Sequence, residues 1–153
     1  MANMKTIKEP LMNAIFEVFE RVFFVFAEPV TKAEADFRMR ANISFSGSIK
    51  GDMQISLSED LAKVMAQNML SIDDDELTDS VVADCVKECL NMVCGSFVRK
   101  VDPDHVFNLT IPSLAMITGP PSYMDAQSDS SLRLAFDAEG GSFEVLTTAT
   151  GCV

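Results

Sequence analysis

The sequence predicts an α+β fold, a largely antiparallel sheet packed against long helices, in the order α-β-β-α-α-β-β-β-β. Three observations predict it. Residues 79–101 run as one helical stretch between a candidate cap at Thr78 and a stop at Asp102-Pro103. Residues 36–45 alternate apolar and polar with period two. The last third divides into short apolar runs punctuated by turn residues, with Glu139-Gly140-Gly141 placed to close a hairpin.

Taken in order, residues 10–27 read as the first helix, with Pro10 suited to its first turn and Glu28-Pro29 ending it. Phe16, Phe19, Phe23 and Phe26 recur at spacings of three and four, and Ile15, Val18, Val22 and Val25 widen that stripe. A stripe so wide belongs either inside the protein's own core or against a second subunit. Phe37, Met39, Ala41, Ile43 and Phe45 then point one way along a strand, with Arg38, Arg40, Asn42 and Ser44 the other. Residues 47–51 turn the chain and 52–57 return as its partner. Ser58, Glu59 and Asp60 open a second helix over 61–70. An acidic loop, 71–76, leads into the third helix. Strands follow at 106–111, 114–119, 131–137 and 142–148, with a polar loop over 120–130.

The 153 residues suit one domain spanning 1–153, with enough apolar residues (48%) to build its own core. A net charge of −11 without any basic run argues against nucleic acid and against an anionic membrane surface. The apolar run at 22–27 falls far short of the ~20 residues of a membrane span. No signal peptide is expected. Cys85, Cys89 and Cys94 share one helix, a poor arrangement for mutual disulfides, and with Cys152 they are expected as reduced thiols. A cytoplasmic location follows from these two expectations.

The third helix carries the chemistry. At 3.6 residues per turn Asp84, Glu88 and Asn91 fall within about 60° of one another, and Gly95 continues the stripe. Val82, Val86, Val93 and Phe97 lie opposite and anchor the helix in the core. Asn is a poor helix-interior residue, and a mid-helix Gly costs ~1 kcal/mol relative to Ala. Both fit a face that something approaches closely: Gly95 clears space, and the Asn91 carboxamide both donates and accepts. Spacing alone also fits an ordinary solvated face and is too loose a pattern to name a function.

Other constellations lead nowhere. His105, the single histidine, lies between Asp102 and Asp104 after a helix stop and is expected to be structural or simply exposed. It cannot complete a Ser-His-Asp or Cys-His set. Residues 73–76 lack the alternating ligands and central Gly of a calcium loop. No metal site and no cofactor of the chain's own are expected.

The motif Asp84-Cys-Val-Lys-Glu88-Cys-Leu-Asn91, followed by Met92-Val-Cys-Gly95 and then by Pro112 in Asn-Leu-Thr-Ile-Pro, resembles the signature of the CheX/CheC/FliY chemotaxis phosphatase family. The preceding Gly51-Asp-Met-Gln-Ile-Ser-Leu and the helix after it resemble the segment leading into that motif, and the similarity extends over about 37–148. The first helix offers Glu17 and Glu20 without an Asn, so the signature stands once and the resemblance is to the CheX branch. The resemblance implies a homodimer that dephosphorylates the phospho-aspartate of a CheY-type receiver domain. It implies that Asn91 positions the attacking water and Glu88 docks a receiver lysine, while Asp84 and Gly95 support docking. The Mg²⁺ would be the receiver's. The alternatives are a non-catalytic module binding a receiver or flagellar-switch partner, or a dimeric scaffold that assembles through the Phe-rich first helix or an exposed strand edge.

Overall fold

A computed structural model describes residues 4–33, 36–117 and 131–151. The expected loop at 120–130, the last two residues of the strand expected at 114–119, and Cys152 lie outside the described residues. The elements are α1 (Met4–Arg21), β1 (Glu28–Val30), β2 (Met39–Ser46), β3 (Ile49–Leu57), α2 (Glu59–Leu70), a 3-10 turn at Asp74–Glu76, α3 (Asp79–Val101), β4 (Asn108–Leu109), β5 (Ser113–Met116), β6 (Ser131–Ala138) and β7 (Gly141–Gly151). The strands form one sheet in the order β1-β6-β7-β3-β2-β4, with β5 also on β2, and every pairing is antiparallel.

The period-two pattern decides which face is covered. Met39, Ala41, Ile43 and Phe45 of β2 align with Met53, Ile55 and Leu57 of β3, and these with Phe143 and Val145 of β7. All are buried. The helices cover this face: α3 lies against β2 and β3, α1 against α3 and β6, and α2 against β7. Phe16, Phe136, Phe143, Phe19 and Phe23 run through the core as a chain of ring contacts. Within it Phe19 lies flat on Phe143 at 4.2 Å and 3°. At Gly51 β3 and β7 come so close that a Cβ would sit 1.8 Å from the Thr148 carbonyl oxygen, so no other residue fits there.

The opposite face carries a row of polar residues across neighbouring strands, Arg40, Ser56 and Glu144 in register. Arg40 Nε donates to Ser56 Oγ at 3.0 Å, and Arg133 Nη1 meets Glu144 Oε1 at 2.5 Å. A small apolar cluster of Ala33, Phe37 and Ala135 lies on this side, so Phe37 does not share the face of Met39 as its spacing predicts, because β2 begins only at Met39.

α2 and α3 start where their caps predict. Ser58 Oγ accepts from Leu61 N at 3.3 Å and Thr78 Oγ1 from Val81 N at 3.2 Å. The first helix differs. It begins at Met4, because Ile7 sits one turn before Leu11 on the same buried stripe and its burial outweighs the N–H that Pro10 lacks. It stops at Arg21, because Phe24 takes a left-handed backbone (φ 54°) and Val25 N reaches back to the Phe19 carbonyl at 2.9 Å. Asn68 Nδ2 donates to the Phe23 carbonyl at 3.0 Å and holds the turn. Phe19 and Phe23 therefore belong to the protein's own core, whereas Phe26 is 75% exposed. The segment read as a helix terminator, Glu28-Pro29, is instead the edge strand β1, where a proline costs little because the strand pairs on one side only.

The strands expected at 106–111 and 114–119 are also redrawn. Both β4 and β5 pair with β2, and their registers differ by one residue: Phe45 faces Leu109, but Asn42 faces Ser113. The extra residue is a β-bulge between Thr110 and Pro112. On its near side Thr110 N donates to the Ser44 carbonyl at 3.0 Å and Thr110 Oγ1 accepts from Ser44 N at 2.9 Å. Pro112 has no N–H to continue the ladder, and Ile111 is turned out to 91% exposure.

Candidate functional site

The bulge and α3 face each other across a groove of about 500 Å³. One wall is α3, with Asp84, Lys87, Glu88 and Asn91. The other is the edge of the sheet, with Leu109, Thr110, Ile111 and Pro112. Asp84, Glu88, Asn91 and Pro112, singled out from the sequence, are thus brought together. Val82, Val86, Val93 and Phe97 on the far side of α3 are buried, which turns the polar stripe outward.

Exposure falls along the stripe. Asp84 and Glu88 are exposed, Asn91 is half-buried and Gly95 is buried. Lys87 Nζ stands 3.5 Å from Asp84 Oδ1, while Glu88 makes no ion pair among the described residues. A carboxylate without a partner at the rim of a groove is available to a cation arriving from outside. Asn91 is uncharged, and its carboxamide can present a donor and an acceptor to one small molecule in the groove.

Asn91 and Leu109 also border a second depression, about 370 Å³, lined in addition by Glu17, Arg21, Gly95 and Arg99. A Cβ added to Gly95 would have Arg99 Nη1 as its nearest neighbour, at 3.4 Å. A guanidinium of its own helix therefore borders the space that Gly95 leaves, at ordinary contact distance. Lys100 Nζ lies 2.8 Å from Glu17 Oε2, and Arg21 Nη1 lies 3.9 Å from Oε1.

Leu109, Thr110, Ile111, Arg21 and Arg99 were not singled out from the sequence. Arg99 had a visible signal, since it follows Gly95 by four residues on the same helical face. On the sheet-edge wall only Pro112 was singled out, through the family motif, and the rest gave no signal, because their place opposite Asn91 depends on strand register.

Elsewhere, Cys85, Cys89 and Cys94 are buried free thiols. Burial pushes Cys85 up to about 11 and Cys94 to about 12, and raises Cys89 well above the ordinary thiol value, with the Glu88 charge adding to Cys85 and Cys89. His105 is exposed and bonded through Nδ1 to Asp102 Oδ2 at 2.7 Å, which raises its pKa. Among the described residues no cluster of three or more His, Cys, Asp or Glu could hold a metal, and no helix is long and apolar enough to cross a membrane.

The family described as chemotaxis phosphatase CheX matches residues 39–136, more than half of the chain and the whole of the α3 wall and bulge. This chain belongs to the CheX family. Its fold is that of solved CheX proteins. The CheX of Vibrio vulnificus superposes with a TM-score of 0.77 at 23% identity, over 94% of this chain and 96% of that one. The CheX of Desulfovibrio desulfuricans gives 0.74 at 20%, over 94% and 99%. The CheX–CheY–BeF3–Mg²⁺ complex of Borrelia burgdorferi gives 0.65 at 23%, over 92% and 96%. No curated protein matches the chain by sequence.

Proposed function

We propose that this member of the CheX family hydrolyses the phospho-aspartate of a CheY-type receiver domain, with Asn91 positioning the water and Glu88 docking a receiver lysine. The observation that carries the reading is the placement of Asn91 and the unpaired Glu88 on one face of α3, opposite an edge strand bulged outward at Ile111 and Pro112. That a Borrelia relative of the same fold has been solved with CheY, BeF3 and Mg²⁺ supports the choice of partner.

The chemistry asks little of the chain. An aspartyl phosphate is a reactive mixed anhydride. Water attacks phosphorus, the bond from phosphorus to the carboxylate oxygen breaks, and inorganic phosphate and the free aspartate leave. Positioning and charge stabilisation dominate such transfers. The receiver's Mg²⁺ supplies most of the charge stabilisation, and the chain needs no cofactor of its own. The Asn91 carboxamide accepts a hydrogen bond from the water and holds it in line. Glu88, paired with a lysine of the receiver, sets Asn91 at the right depth. The same reading places the protein in the cytoplasm, as a homodimer. Sedimentation at working concentration tests the dimer.

The deciding experiment follows the decay of a phosphorylated CheY-type receiver from the same genome, with the wild-type protein and with Asn91→Ala. Decay should accelerate with the wild type. Asn91→Ala should lose about 100-fold of that acceleration while still binding. Binding without acceleration would leave a docking module in place of an enzyme, and the catalytic reading would be wrong.

A further inference from the structure

Beside Asn91, away from Glu88, the surface carries charge of a sign opposite to the chain's. The sequence holds 12 basic against 23 acidic residues, yet Arg21, Arg99 and Lys100 gather around the one carboxylate of Glu17. Lys100 takes that carboxylate at 2.8 Å and Arg21 stands back at 3.9 Å. The hydrogen bond from Lys100 is the main cause of the lowered pKa of Glu17, and the charges of Lys100, Arg21 and Arg99 add to it. Among the described residues one anion faces three cations here, so the cluster carries net positive charge. Arg21 and Arg99 line the depression that Asn91 borders.

Arg99 lies over the turn of Gly95. Helical side chains lean toward the N-terminus. With no side chain at Gly95, four residues earlier, the guanidinium lies back over that bare turn, Nη1 3.4 Å from the place a Cβ would take. This brings its charge about one helical turn from Asn91. The face of α3 is thus ordered along its length, with the Glu88 carboxylate at one end, the neutral Asn91 in the middle and the arginines at the other.

We propose that Arg99 and Arg21 form a second docking contact, which takes the acidic rim of the receiver's phosphorylation site. The inference rests on the receiver reading above. A protein site that carries a phospho-aspartate and holds Mg²⁺ must present oxygen ligands to the cation, chiefly carboxylates. Carboxylates at its rim meet the arginines while a lysine at its other side meets Glu88. Two contacts of opposite sign, on either side of the water-holding residue, fix the direction in which the receiver lies along α3. A protein with a net charge of −11 also gains a local field that admits an acidic partner at this one place.

The test measures receiver decay against receiver concentration for the wild type, Arg99→Glu, Arg21→Glu, Arg99→Lys and Asn91→Ala, each checked for folding by circular dichroism. Both arginines are exposed, so the folds should hold. Arg99→Glu should raise the half-saturating concentration about tenfold and leave the saturated rate within about twofold, with a smaller rise for Arg21→Glu. Arg99→Lys should stay close to wild type, and the wild-type half-saturation should rise with added salt more steeply than that of Arg99→Glu. Unchanged half-saturation in both charge reversals would overturn the docking role and leave the phosphatase reading standing. A saturated rate that falls with half-saturation unchanged would overturn it too, because the arginines would then be acting on the phosphoryl group. If the wild type speeds no decay, affinity for the receiver loaded with Mg²⁺ and BeF3 decides: weaker binding by Arg99→Glu supports the dock, and equal binding or none overturns it.

Discussion

Lys87 Nζ reaches back to Asp84 Oδ1 at 3.5 Å, one helical turn before Glu88, which has no ion-pair partner among the described residues. The two carboxylates of the stripe are therefore not equivalent. Asp84 is already engaged by its own helix and is 73% exposed, where such pairs contribute little. Asp84→Asn should shift stability by less than about 0.5 kcal/mol and half-saturation by less than about twofold. A loss as large as that of Asn91→Ala would place Asp84 in the chemistry instead.

Glu88 meets its partner only in the complex. Glu88→Ala should weaken binding of the Mg²⁺- and BeF3-loaded receiver about tenfold, the usual worth of a hydrogen bond to a charged group. Glu88→Gln should fall in between. Isothermal titration of the variants against one receiver reads this directly. Equal affinity across the series would remove the lysine contact.

The buried thiols give a prediction independent of function. The thiolate is the reactive form. With Cys85 pushed up to about 11 and Cys94 to about 12, on the order of one molecule in a thousand carries the Cys85 thiolate at about pH 8 and fewer the Cys94 thiolate, and burial favours the thiol at Cys89 too. In a Cys152→Ser background the native protein should release no chromophore from Ellman's reagent within minutes, and three equivalents once unfolded in guanidinium. Rapid labelling of the native form would mean that α3 opens readily.

On the far face of the sheet, Arg133 faces the nearly buried Glu144. Burial raises the Glu144 pKa, against the opposing pull of Arg133 and Arg40. Arg133→Met should cost about 3 kcal/mol in urea unfolding, and adding Glu144→Leu should recover most of it. A raised folded-state pKa means that stability is fully present below the unfolded value and is lost as pH rises through the folded one. The deficit of Arg133→Met should therefore be smaller at about pH 5 than at about pH 7.5. A deficit that does not change with pH would assign the loss to packing alone.

What the sequence disclosed depended on how local the cause was. α3 was legible from end to end, because Thr78, the 3.6-residue period and Asp102-Pro103 all act within a few residues of the helix. The end of α1 was not, because the apolar run at 22–27 continues the helical stripe and only the bond from Asn68, in α2, shows why the chain turns at Phe24. β1 is three residues long and contains Pro29, so it carried no strand signal of its own. For the groove, the α3 wall was written as spacing. The opposing wall is written in the one-residue register change between Phe45–Leu109 and Asn42–Ser113, which local patterning does not contain. Arg99 lay on the stripe in plain view, but a basic residue in a helix's last turn has an ordinary explanation in the helix dipole.

Beneath the groove, Phe97 on the inner face of α3 meets Phe45 of β2 edge-on, with ring centroids 5.9 Å apart, and Phe45 is the strand partner of Leu109 on the opposite rim. The aperture is therefore an interior dimension, set by how two rings abut rather than by anything a visiting protein touches. A lineage could recalibrate its fit to a new receiver by exchanging one hidden side chain, while every polar residue at the mouth stays as it was.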